Sequence, residues 1–111
     1  MDFRTLTPAL AVTGQVAPAD MAAIRAAGFG AILCNRPDGE APGQPSFAQL
    51  AAAAEAAGLA ARHVPVTPGA VTRADVAAFS AALDELPGPV LAFCRSGARS
   101  EALFSLLGRA A

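Results

Sequence analysis

Apolar residues fall along this chain in two rhythms, short unbroken runs and longer stretches where they recur every three or four positions. Gly30–Cys34 and Pro89–Phe93 are the unbroken runs and read as strands buried on both faces. Leu10–Gln15 reads as a strand ending in a Gly turn, and Leu59–Val66 as one that tolerates Pro65 near its end. Helical spacing appears in Pro18–Ala27, where Met21 and Ile24 share a face and Gly28 is the stop. It recurs in Phe47–Ala57, capped by Ser46 and closed by Gly58, and from the Thr72–Asp75 capping box to about Leu86. Ser100–Leu107 is the last expected helix, ended by Gly108. Between these elements lie a long loop from Asn35 to Pro45 and a short one from Cys94 to Arg99.

Strands alternating with helices predict an α/β fold, a small, mostly parallel sheet flanked by helices on both faces. In such sheets sites form beyond the carboxyl ends of strands, where Cys34 and Cys94 both fall. The 111 residues suffice for one domain spanning 1–111, without internal repeat or linker. Thirty residues are alanine, so the bulk of the core must come from Leu, Val, Ile, Phe and Met. A net charge of −1, no Lys, no Trp or Tyr and scattered Phe argue against a nucleic-acid surface. No apolar run approaches the roughly 18 residues of a membrane span, and the beginning of the sequence shows no secretory pattern. Two cysteines 60 positions apart fit neither a zinc site nor a disulfide framework. The expectation is a cytoplasmic protein with reduced thiols, without metal or cofactor.

The chemistry concentrates in Phe93-Cys94-Arg95-Ser96-Gly97-Ala98-Arg99-Ser100. Here a cysteine ends a buried strand and a tight turn leads into a helix. The backbone N–H groups of Arg95, Ser96, Gly97, Ala98 and Arg99 can curl into an anion-binding nest, reinforced by the positive end of the helix. Gly97 permits a left-handed bend, and Arg99 can grip an anion through two parallel hydrogen bonds. The same field favours a Cys94 thiolate, an activated nucleophile for covalent catalysis. The plain alternative is a buried cysteine before an ordinary glycine turn.

This arrangement resembles cysteine-based phosphatases of the dual-specificity type and also rhodanese sulfurtransferases. More closely, the chain resembles the phosphatase-like domain of β-lactamase-hydrolase-like proteins, a small bacterial family filed under both activities. The matching residues are Leu6-Thr7-Pro8, Val12-Thr13-Gly14-Gln15, Asn35-Arg36-Pro37-Asp38-Gly39-Glu40, His63-Val64-Pro65-Val66 and Cys94-Arg95-Ser96-Gly97-Ala98-Arg99-Ser100. The resemblance implies a phosphatase fold, Cys94 as nucleophile, Arg99 as oxyanion clamp and Ser100 near the thiolate.

Two departures bear on the chemistry. Arg99 lies five positions after Cys94, and Ser100 stands where the standard phosphatase arginine would be. The shorter loop, of rhodanese length, makes a smaller nest that suits a persulfide sulfur better than a phosphoryl group. The Asp that such phosphatases keep near the position of Thr67-Pro68-Gly69 is also absent, leaving Asp38 or Glu40 as substitute acids. Arg36 is either a second anion contact or an ion-pair partner for Asp38 or Glu40, and Arg95 either recruits an anionic substrate or faces water. His63 is expected to be structural, Asp75 a helix cap, and Phe47, Phe79 and Phe104 core. Cys34 reads as a small buried hydrophobe, or, if it reaches Cys94, as a resolving thiol.

Three functions follow. The leading expectation is a phosphatase-type hydrolase with a covalent phosphocysteine. Next is sulfur transfer through a Cys94 persulfide, and third a module that binds anions without turnover. The ligand is a small anion, a phosphate ester or a sulfane sulfur donor, with a neighbouring sulfur-metabolism protein as an expected partner.

Overall fold

Val90–Phe93 carries no polar side chain because it runs through the middle of the structure, each residue at most 1% exposed. A computed structural model describes residues 2–110, with side chains as far as Gly108. Residues 1 and 111 of the expected unit lie outside the described residues. The strands are β1 (Arg4–Thr7), β2 (Leu10–Thr13), β3 (Ala31–Cys34), β4 (Ala60–His63) and β5 (Val90–Phe93). They form one sheet in the order β1-β2-β5-β3-β4, with β2, β5, β3 and β4 parallel and β1 antiparallel on the edge. The helices are α1 (Met21–Ala26), α2 (Phe47–Ala56), α3 (Arg73–Glu85) and α4 (Ala98–Ala110).

The period-two alternation of a strand decides which helices cover which face. Leu91 and Phe93 of β5 point into a cluster with Met21, Ile24, Leu50 and Ala54 of α1 and α2. Val90 and Ala92 point the other way, against Phe79 and Ala82 of α3 and Leu103 of α4. The expected α/β sandwich with helices on both faces is the one observed. Both capping boxes form: Ser46 Oγ accepts from Gln49 N–H at 3.1 Å, and Thr72 Oγ1 accepts from Asp75 N–H at 3.1 Å. Among the described residues, no helix is long and apolar enough to cross a membrane.

Several boundaries differ from the sequence expectation. The first helix opens as a 3₁₀ turn over Pro18–Asp20 before α1 begins. The strand expected over Leu59–Val66 is regular only as β4, and Pro65 falls where its nitrogen faces the open edge of the sheet and no N–H is required. Its neighbours keep the pairing with β3, Val64 N–H donating to the Cys34 carbonyl and Val66 N–H to that of Asn35. The last helix begins at Ala98 rather than Ser100, which moves Ala98 and Arg99 off the loop and into its first turn beside Ser100. Glu101 N–H closes that turn on the Gly97 carbonyl at 3.0 Å. Gly108 does not end α4, which continues to Ala110.

Candidate active site

The carboxyl end of β5 leads directly into Cys94, which is 1% exposed. Gly97 then takes φ +94°, and its N–H turns back to donate to Cys94 Sγ at 3.0 Å. Burial alone would hold the thiol neutral. The N–H groups of Ser100, Ser96, Arg99 and Gly97 outweigh that cost and draw the Cys94 pKa below its ordinary value. The donors differ from the expected run of Arg95 to Arg99: Arg95 and Ala98 are not among them, the Ala98 N–H lying 3.4 Å from Ser96 Oγ, and the first turn of α4 supplies Arg99 and Ser100. The loop is braced from β2. Gln15 N–H donates to the Arg95 carbonyl at 3.3 Å, and a Cβ on Gly14 would lie 3.1 Å from that same oxygen. Close approach of two backbones explains a glycine at that position.

Arg99 holds a carboxylate. Its Nη1 donates to Glu40 Oε2 at 2.7 Å and its Nη2 to Glu40 Oε1 at 2.8 Å, while Nη1 also reaches the Val66 carbonyl at 3.0 Å. Arg36 Nε donates to the same Glu40 Oε1 at 2.9 Å, and Arg36 Nη1 to Gln15 Oε1 at 3.1 Å. Glu40 thus joins two arginines, and Arg36 resolves to the ion-pair alternative. The Arg99 hydrogen bonds, opposed by partial burial and reinforced by Arg36, pull the Glu40 carboxyl down to about 2. Glu40 in turn raises Arg99. Asp38 is also engaged, its Oδ1 accepting the Phe47 N–H at 2.8 Å at the start of α2. Neither carboxylate is poised as a proton donor: one is held ionised and the other caps a helix. Arg95 is exposed and contributes its carbonyl to the brace described above.

Ser100 approaches Cys94 through its backbone and not its hydroxyl. The hydroxyl donates to Asn35 Oδ1 at 2.9 Å, and Asn35 Nδ2 donates to the Val64 carbonyl at 3.0 Å, with Asn35 and Ser100 both 0% exposed. This buried chain ties the ends of β3 and β4 to α4. Ser100→Ala leaves Asn35 Oδ1 without its donor and costs about 1–3 kcal/mol in stability, measured by urea unfolding. The amide remains, so the pH midpoint of Cys94 alkylation stays where it is. A midpoint that rises with stability unchanged would assign the hydroxyl to the sulfur instead.

His63 is structural as expected. Its Nε2 lies 2.9 Å from the Arg36 carbonyl and its ring stacks on Phe47 with centroids 4.6 Å apart. Cys34 donates its thiol to the Arg36 carbonyl at 3.4 Å. Sequence reading missed Gln15 and the Val66 carbonyl as supports of the arginines, and Asn35 as the partner of Ser100. A polar residue directly after a fully apolar strand was the available signal for Asn35. Among the described residues no group of three or more His, Cys, Asp or Glu side chains is arranged to hold a metal ion. An open cavity of about 340 Å³ borders the loop, lined by Phe3, Arg4, Thr13, Ser96 and Gly97 among others.

Comparison with known proteins places this architecture. A beta-lactamase hydrolase-like protein of Agrobacterium fabrum is 43% identical over 97 residues, covering 87% of this chain and 22% of that protein. One from Xylella fastidiosa is 40% identical over the same length and shares. The chain therefore spans about a fifth of the curated relatives it matches. A crystal structure from Neisseria meningitidis, provisionally named a phosphatase, superposes with TM-score 0.85 at 37% identity, covering 91% of this chain and 72% of that one. Another from Shewanella putrefaciens, with the same provisional name, shares the fold at TM-score 0.81 and 21% identity, covering 95% and 66%. Residues 2–111 match the family described as the phosphatase-like domain of beta-lactamase hydrolase-like protein, and the chain belongs to that family.

Proposed function

We propose that the domain is a sulfurtransferase that carries sulfane sulfur on Cys94. The observation that carries this reading is that both carboxylates of the Asn35–Glu40 loop are engaged, Glu40 by two arginines and Asp38 by the start of α2. The nest supports a Cys94 thiolate, while Glu40 is held as an anion and Asp38 is spent on α2. Cleaving a phosphate monoester asks for an acid to protonate the departing oxygen. Sulfur transfer does not. Cys94 thiolate attacks the outer sulfur of thiosulfate, the bond to the sulfonate sulfur breaks, and sulfite leaves with the electron pair. The resulting Cys94 persulfide gives its outer sulfur to a thiolate or to cyanide, regenerating the Cys94 thiolate with no net proton exchanged.

A phosphatase-type reaction is the second reading, favoured by the family to which the chain belongs. Arg99 also supports it, since its Nε makes no hydrogen bond among the described residues and leaves one edge of the guanidinium for an oxyanion. In that reading Cys94 attacks phosphorus, the alcohol leaves with a proton from water, and a second water releases phosphate. The deciding experiment exposes the purified protein to thiosulfate and weighs it intact, then adds cyanide and measures thiocyanate. The expected result is one added sulfur on Cys94 and thiocyanate release. Absence of the adduct, with Cys94-dependent phosphate release from an aryl phosphate, would overturn the sulfur reading in favour of the second.

A further inference from the structure

The mechanism above leaves one nucleophilic group of the site unused. Cys34 is buried, 3% exposed, and unpaired in a disulfide, as is Cys94. The β3–β5 register sets Cys34 opposite Phe93, and the Asn35 N–H donates to the Phe93 carbonyl at 2.8 Å, so the ladder continues to the end of both strands. Cys94, the next residue after Phe93, is therefore the diagonal neighbour of Cys34. Strands about 4.8 Å apart with a rise of about 3.3 Å per residue separate such Cα atoms by about 6 Å. That lies within the range of about 4.4–6.8 Å that a disulfide spans. Cys94 lies one residue past the end of β5, where strand alternation no longer sets its side chain; Cys34 Sγ donates to the Arg36 carbonyl and Cys94 Sγ accepts from the Gly97 N–H.

We propose that Cys34 is the resolving thiol of this site, closing a reversible disulfide with Cys94 when a hydroperoxide oxidises the catalytic sulfur. The two cysteines are sorted into roles by their surroundings. Burial pushes the Cys34 thiol up to about 11, offset in part by its hydrogen bond to Arg36 and reinforced by the negative charges of Asp38 and Cys94. Cys94, cupped by amides, is the thiolate and reacts first. It attacks hydrogen peroxide, the O–O bond breaks, and Cys94 becomes a sulfenic acid as the peroxide is reduced to hydroxide. The Cys34 thiol then attacks the Cys94 sulfur. Its proton and the sulfenic hydroxyl leave as water, and the disulfide forms. A dithiol reductant reverses the step. Without Cys34 the sulfenic acid goes on to sulfinic acid, which dithiols do not reverse.

The inference rests on Cys94 being the reactive thiolate but not on which donor it serves, so its test contains no sulfur donor. Reduced wild type, Cys34→Ser and Cys34→Ala are treated with hydrogen peroxide, then weighed intact and peptide-mapped. Wild type is expected to lose two hydrogens in mass, join the Cys34 and Cys94 peptides, and recover its alkylatable thiols on adding dithiothreitol. The variants are expected to gain two oxygens on Cys94, with no recovery. Wild type that gains two oxygens as the variants do, or that forms no Cys34–Cys94 crosslink, overturns the proposal. The wild-type crosslink is read without any variant, so a misfolded substitution cannot obscure the result. Failure of the persulfide experiment with success here would reject the sulfur reading and leave the resolving pair intact.

Discussion

Cys94→Ala is expected to lower turnover by on the order of 10⁴-fold or more, as loss of a covalent nucleophile does, while the melting temperature moves by only a few degrees. The side chain is buried, but Ala keeps the backbone that leads β5 into the loop, and the expensive burial of a thiolate disappears with the sulfur. In the wild type, the rate is expected to follow the thiolate fraction. Because the amides of the nest lower the Cys94 pKa, the rise with pH has its midpoint below that of an ordinary thiol and levels off above it. Rates of thiocyanate formation and of iodoacetamide alkylation, measured across pH, should share that midpoint. A Cys94→Ala protein that retains wild-type turnover would remove Cys94 from every reading offered above.

Gly97→Ala is expected to have the second largest effect, and through geometry alone. At φ +94° an alanine pays roughly 1–2 kcal/mol in backbone strain. Its Cβ would also sit 3.3 Å from the Thr13 carbonyl, so β2 or the loop must give way. Either adjustment moves the N–H that points at Cys94 Sγ from 3.0 Å. Loss of one such donor lowers rates roughly 10²–10³-fold, and the alkylation midpoint should shift upward with it. Unchanged kinetics in a destabilised protein would show that the bend serves folding and not the sulfur.

How much of this was legible in sequence depends on how local each feature is. The Cys94 loop, the caps at Ser46 and Thr72 and the apolar strands rest on near neighbours, so residue order alone reveals them. β1 escaped notice because Arg4–Thr7 offers little apolar alternation: it is an edge strand whose residues are half-buried or exposed, held by pairing with β2 and by Leu6 packed against the core. The Arg99–Glu40 pair joins positions 59 apart, and the Ser100–Asn35 bond positions 65 apart. Nothing in the spacing of either pair marks it. That is why Glu40 reads in sequence as a substitute acid while its carboxylate is committed to two arginines. Ser100, expected near the thiolate with no atom specified, turns its amide to Cys94 and its hydroxyl to Asn35.

The strand order carries a consequence for how the protein is made. β5 lies between β2 and β3, yet of these five strands it is made last. Until Val90–Phe93 emerges, β2 and β3 have no common neighbour, and the two halves of the sheet wait as separate fragments with apolar edges uncovered. Synthesis and assembly of the reactive centre therefore finish together. A nascent chain cut short before β5 holds Cys34 and the Asn35–Glu40 loop but neither Cys94 nor the cradle of amides.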